Sequence, residues 1–397
     1  MPRSTDEGLL DRLLEGIARE LPGAVELRRR LHSQPELAHA EEQTAATIEA
    51  ALPVDCETVA QTGRIARVGA GKGAPIAVRA ELDALPIRER TGAPFSASGE
   101  TMHACGHDVH MAALVALTRA AHALGEQLPV PLLAIFQPSE EAHPSGAQQL
   151  AREGLAQMAP AAILATHVHP ELRWGTVGVD AGAVNASFDA IEITIEGQPS
   201  HGAYPHLGRD PILALAQVVV ALHAQMSRRM DPLSPAVLTI GTLEGGSAEN
   251  VIPARARARG AIRALSQEAR GELRALVEEV VAGVAAGSGC IGNVELMPSE
   301  PVLVNDPAIV TAARELLGEA GLAPAPAWRS CGSDDFAFFA ELAPIVMAFV
   351  GLDGAAGFKS RPLHHPELLP PDDAVGAVAR TQAVLYVAAA STPASAG

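Results

Sequence analysis

Aromatic residues are scarce: two Trp, two Tyr and eight Phe make up 3% of 397 residues. Lysine is scarcer, only Lys72 and Lys359, so nearly all positive charge is arginine, scattered among acids in a chain of net charge −17. A nucleic-acid surface needs a concentrated basic face with stacking rings, so no nucleic-acid partner is expected. The four cysteines, Cys56, Cys105, Cys290 and Cys331, lie far apart, which fits neither a disulfide scaffold nor a zinc knuckle. Long hydrophobic runs are also missing. The longest strongly apolar one without formal charge, Pro211–Ser227, carries Gln217, His223 and Gln225 and reads as a packed helix, so no membrane partner is expected. The first residues lack the basic start and apolar centre of a signal peptide, which makes the cytoplasm the expected compartment.

What is present is enough apolar material, 48% of the chain, for two or three domains with real cores. Ser4-x-x-Glu7 is a capping-box pattern before Leu10, Leu13, Leu14 and Ile17, which share a helical face; a second helix is expected from about residue 23 to 33. Ile76–Leu82, Leu132–Phe136, Ala162–Thr166 and Ile345–Val350 read as buried strands, with a helix over Met111–Leu124 between the first two. From about Val184 the pattern turns α+β: Ile191, Ile193 and Ile195 alternate with polar residues, and helices and strands follow up to Val294. The predicted fold is therefore α/β with a mixed central sheet flanked by helices. It is split into 1–183 and 295–397 by an inserted α+β domain over 184–294.

Acids and imidazoles recur just after the buried strands, where ligands of open α/β sheets collect. Asp83 follows the first, Glu140 and Glu141 the second, His167 and His169 the third. The densest cluster, His103-Ala-Cys105-Gly-His107-Asp108-Val-His110, has the thiol and imidazoles that suit a zinc-like metal. Cys105 and His107 can face one centre, and the start of a helix there favours a thiolate. His103 and His110 are expected behind the ligands or hydrogen-bonded in the loop. Glu140 and Glu141, if extended, point in opposite directions, so one can hold a metal while the other works on a water.

These residues resemble the zinc metallopeptidases of the carboxypeptidase G and aminoacylase type, in the amidohydrolase branch of hippurate and auxin-conjugate hydrolases. The resemblance spans almost the whole chain. It is carried by Arg28-Arg-Arg-Leu-His32, Arg79-Ala-Glu-Leu-Asp83, His103-Ala-Cys105-Gly-His107-Asp, Phe136-Gln-Pro-Ser-Glu140-Glu141, His167-Val-His-Pro170, Ser200-His201-Gly, Asn250-Val-Ile-Pro253, Gly332-Ser-Asp-Asp335 and His364-His-Pro366. It implies two divalent metals per subunit, zinc first, with manganese, cobalt or nickel also compatible. Cys105 would bridge them, and His107, His167, Glu141 and His364 would complete the ligands. Glu140 matches the general base, Asp83 a carboxylate that orients a metal-bound imidazole, and His201 an oxyanion partner. Asn250 and Arg263 match positions that contact the substrate's polar end. The inserted domain would serve as lid and dimerisation surface of a homodimer.

The implied reaction is hydrolysis of an N-acyl amino acid, a small-molecule substrate, to a carboxylic acid and a free amino acid by metal-bridged hydroxide. A carboxypeptidase or dipeptidase would use the same machinery on small peptides. A cysteine hydrolase built on Cys105 lacks a base arranged as in a dyad, since His107 is only two residues away.

Overall fold

The computed structural model describes residues 8–71 and 73–392; Ser4 and Glu7, the capping-box pair, lie outside them. One helix, Leu9–Ser33, stands where two were expected. Pro22 and Gly23 read as a break in the sequence, but Leu10, Leu13, Ile17, Ala24, Arg28 and Leu31 form one continuous buried stripe. Burying that stripe outweighs the roughly 3 kcal/mol that a proline costs inside a helix.

The chain divides into two compact units. The first comprises the described residues up to Gly182, then Val304–Trp328 and those from Asp335 on. Its eight-stranded sheet has four parallel strands at the centre, in the order Leu132–Gln137, Ile76–Glu81, Ala162–Arg173 and Ile345–Asp353. Antiparallel neighbours on both sides, Gly63–Val68 and Thr176–Gly178, make the sheet mixed. Leu9–Ser33, His107–Leu124 and Asp373–Ser391 pack their apolar residues on one face against Val78, Ala80, Leu164, Val168 and Val350. Asp373–Ser391 is long and apolar enough to cross a membrane by length and composition, yet most of it is buried within this unit. The third strand runs past its apolar stretch to Arg173, because pairing continues through Phe349 opposite His167 and Gly351 opposite His169. Both imidazoles thus sit on the strand rather than after it.

The second unit is Ala183–Leu303 with Arg329–Asp334. Its antiparallel sheet runs in the order Ala236–Gly245, Arg255–Ala264, Ser187–Glu196 and Ile291–Pro298. Ile191, Ile193 and Ile195 point to one face and meet Leu215 and Leu222 of the helix Pro211–Arg229 and Leu273 and Val277 of the helix Gln267–Gly287. Both helices start on a side-chain cap, Asp210 and Ser266, which satisfies amide groups left bare at a helix start. The sequence boundary at 294 falls inside the last strand, and the unit continues to Leu303.

Two contacts in the first unit fix the turn before His107–Leu124. Gly106 has φ +88°, and a Cβ there would lie 2.5 Å from Val168 Cγ2, so only glycine lets this turn rest on the strand Ala162–Arg173. On the other side, buried Asp108 accepts hydrogen bonds from Arg28 Nε at 2.7 Å and His32 Nδ1 at 2.9 Å. His32 Nε2 lies 3.2 Å from the buried Glu89 carboxylate. Burial opposes charge on His32, but Asp108 and Glu89 outweigh both burial and the repulsion of Arg28, raising its pKa to about 9.

Two expected outcomes follow from these contacts. Gly106→Ala should lose about 2–5 kcal/mol of stability through left-handed strain plus the Val168 clash; an unchanged urea midpoint would show that the turn can move away. Because the folded pKa of His32 lies above its unfolded value, its stabilisation is full below about pH 6.5 and disappears as pH rises through about 9. Urea midpoints across that window should therefore fall more steeply for the wild type than for His32→Gln. Parallel slopes would mean that His32 is not charged in the folded chain.

Candidate metal centre

Three donors meet where the turn Cys105-Gly106-His107 rests on the third strand. Cys105 Sγ lies 3.3 Å from His167 Nε2, and the Cys105, His107 and His167 ligand atoms all fall within 4.8 Å of one another. A sulfur and a nitrogen sharing one tetrahedral zinc would be about 3.6 Å apart. The ring orientations also suit ligation. His107 Nδ1 donates to the Asp83 carbonyl at 2.8 Å, and His167 Nδ1 donates to the Val168 carbonyl at 2.6 Å. With Nδ1 hydrogen-bonded to a carbonyl, each Nε2 is the nitrogen left to face the cluster, the arrangement typical of metal-binding histidines. His107 Nε2 is buried with no hydrogen-bond partner, which a bound cation would supply.

Glu140 and Glu141 leave the second strand in a bend, not the extended chain the sequence suggested, because Ser139 turns with φ +51°. Both carboxylates therefore approach the cluster from one side. Glu140 Oε2 is 3.9 Å from His107 Nε2, and Glu141 Oε1 is 3.2 Å from His364 Nε2 without hydrogen-bond geometry. Cys105, Glu141 and His364 form one set of convergent donors, and His107, Glu140 and Glu141 another. His364 is half exposed and is tied to the same turn by its N–H to the Ala104 carbonyl at 2.8 Å. Thiolate, imidazole and carboxylate donors flanking a shared sulfur fit a pair of divalent ions.

The electrostatics point the same way. Burial opposes an imidazolium at His107, yet Glu81, Asp83 and Glu141 outweigh it and raise its pKa to about 10. Burial, and then Glu141, Glu140 and Glu81, push the Cys105 thiol well above its ordinary value. The helix start therefore does not yield the thiolate expected from sequence: carboxylates and burial outweigh it until a cation arrives. His167 is held neutral chiefly by burial.

Asp83 contributes two ways, its carbonyl taking the His107 proton while its buried carboxylate accepts the Glu141 N–H at 2.9 Å. Glu81, given no role from sequence, is buried beside it, paired with Arg79 and bonded to His110 Nδ1 at 2.8 Å. An acid inside the apolar run Ile76–Leu82, two residues from an arginine, was the available signal. His103 is fully buried with neither ring nitrogen hydrogen-bonded. His201, Asn250 and Arg263 belong to the second unit. His201 pairs across a short sheet with Val251, which places Asn250 beside it. Arg263 lies apart from them, over the Phe188 ring and bonded through Nη1 to the Cys331 carbonyl at 3.0 Å.

Residues 77–386 match the family described as Peptidase family M20/M25/M40. An N-acetyl-L-cysteine deacetylase of Bacillus subtilis is 36% identical over 86% of this chain and 82% of its own. An N-acetyldiaminopimelate deacetylase of Halalkalibacterium halodurans is 36% identical over 89% and 95%. The crystal structure of the Bacillus subtilis YXEP protein, a dinuclear metal-binding peptidase from the M20 family, superposes with a TM-score of 0.82 at 31% identity, covering 93% of this chain and 98% of that one. With a match across most of its length and relatives at this identity, the chain belongs to peptidase family M20/M25/M40.

Proposed function

We propose that this protein is a metal-dependent amidohydrolase that cleaves N-acyl amino acids to a carboxylic acid and a free amino acid. The carrying observation is the convergence of Cys105, His107 and His167 with Glu141 and His364, with Glu140 alongside but making no hydrogen bond to His107. The deacetylase relatives act on N-acetyl amino acids by name, which supports the substrate class. Cys105 would be shared by two divalent ions, with His107, His167, Glu141 and His364 as the other ligands. The thiolate and imidazoles favour zinc, with manganese, cobalt and nickel as alternatives.

Bound metals would lower the pKa of a water toward neutrality and polarise the amide carbonyl. Glu140 takes a proton from that water and passes it to the departing nitrogen, the work of a carboxylate beside the reacting atoms. Asp83 holds His107 by its carbonyl and the Glu141 backbone by its carboxylate, so it keeps two ligands in register. His201 steadies the oxyanion. Arg263, preorganised on Phe188, receives the amino acid's carboxylate, which a guanidinium fork fits better than an ammonium, and Asn250, carried beside His201, contacts the substrate's polar end from that side. All four cysteines are free thiols, which suits the reducing cytoplasm.

The inserted unit serves as lid and as dimerisation surface of a homodimer. Ala236–Gly245 is an edge strand, and Leu213, Val220, Leu243 and Val251 are exposed on this unit; an unpaired strand beside apolar residues is a ready surface for a second copy. His201 then acts at the site of the neighbouring subunit.

Glu140→Gln should retain its metal and lose about 10²–10⁴-fold in kcat on N-acyl amino acids, because the amide keeps the shape but takes no proton. Glu141→Gln should lose metal as well. Metal analysis and a panel of N-acyl amino acids and dipeptides decide the matter: preference for dipeptides overturns the substrate class, and metal loss confined to Glu140→Gln reverses the two roles. Unfolding and refolding equal amounts of Glu140→Gln and His201→Ala chains should restore about a quarter of wild-type activity, since half the dimers are mixed and each carries one intact site of two. Mixed dimers without any gain would place His201 in its own chain's site.

A further inference from the structure

His110 belongs to the same short motif as the ligands but is not among them, and its two hydrogen bonds assign its ring without ambiguity. The Val168 N–H lies 3.0 Å from His110 Nε2. A backbone amide can only donate, so Nε2 is the lone-pair nitrogen and the ring proton sits on Nδ1. That proton is donated to Glu81 Oε2 at 2.8 Å, and Glu81 is itself held by Arg79. Both nitrogens are thus engaged, and although Glu81, His107 and His110 are close enough to gather an ion, His110 has no lone pair left for one.

The same residue carries the relay onward through its carbonyl, which lies in the next peptide unit. The Val168 carbonyl takes the Nδ1 proton of His167 at 2.6 Å, which leaves His167 Nε2 as a lone pair 3.3 Å from Cys105 Sγ. The His110 and His167 rings also meet edge-on, with centroids 4.7 Å apart. Glu81 therefore fixes the His110 tautomer, His110 holds the Val168 backbone at its N–H, and the Val168 carbonyl fixes the tautomer and aim of His167. We propose that His110 is a positioning residue for the metal centre, acting on His167 through the Val168 backbone. The proposal rests on the reading of His167 as a ligand.

The test separates the two nitrogens of His110. A glutamine amide reaches about as far as Nε2 and can accept the Val168 N–H; an asparagine amide reaches only about as far as Nδ1 and can serve Glu81 alone. Zinc affinity, measured by competition with a chromophoric chelator, should fall about 10–100-fold in His110→Asn and stay within about threefold of wild type in His110→Gln. The visible absorption of the cobalt-loaded proteins should show the same order, with the thiolate and ligand-field bands shifted only in His110→Asn. His167→Ala, titrated in parallel, tests the underlying reading. If it loses one ion while His110→Asn binds like wild type, positioning by His110 is overturned and ligation by His167 stands. If it keeps both ions, ligation by His167 falls and the proposal with it. Should His110→Asn fail to fold, ¹⁵N spectra of the imidazoles in the metal-free wild type still decide: both His110 and His167 should carry their proton on Nδ1, and a proton on His110 Nε2 overturns the relay.

Discussion

The structure depends on negative charge gathered at the carboxyl edge of the sheet. Glu81 and Asp83 are fully buried there, and Glu140 and Glu141 come in from the neighbouring strand. Arg79 answers Glu81 and the Glu141 N–H answers Asp83, while Glu140 and Glu141 converge on His107, and Glu141 also on Cys105 and His364. Burial and then the acids push Cys105 toward its neutral thiol, while the same acids overcome burial and push His107 toward its cation. A divalent ion satisfies the surrounding more fully than a proton on His107 does. An ion held by these two residues would displace that proton and the one on Cys105, and its affinity would then fall as pH falls.

Around this edge the rest of the first unit acts as a vise. Gly106 lets the Cys105 turn touch Val168, while Arg28 and His32 of the first helix hold Asp108 from behind. The first helix, the helix His107–Leu124 and the third strand thus share the task of aiming the side chains of Cys105 and His107. This explains why an apolar stripe carries the helix straight through Pro22: a break there would release Arg28 and His32 from the turn they support.

Much of this was legible in the sequence. The central strands announced themselves as short apolar runs, Asp83, Glu140, Glu141 and His167 stood out as acids and imidazoles following them, and Cys105 and His107 as a thiol and an imidazole at a helix start. What the sequence hid depends on tertiary geometry. Pairing with Phe349 and Gly351 extends the third strand over His167 and His169, which local apolarity cannot foretell. Positive φ at Ser139 turns an apparently extended Glu140-Glu141 pair toward one side. The upward shift of the Cys105 thiol reflects burial and then carboxylates brought from residues 141, 140 and 81, whereas the helix start next to it is local and so was the only influence visible. Glu81 escaped notice because an acid in a strand declares its role only once its partners, Arg79 and His110, are seen.

The position of Ile345–Asp353 has a consequence for how the protein is made. This strand comes late in the chain yet sits next to Ala162–Arg173 in the middle of the sheet. At ribosomal speeds, roughly 10–30 s separate the synthesis of the two. Throughout that interval the nascent chain carries an apolar strand with one of its two neighbours still missing, an open template for pairing with other chains. The inserted unit, translated within the same interval and furnished with its own core, can fold first, leaving the metal-binding half to close around a strand that arrives last.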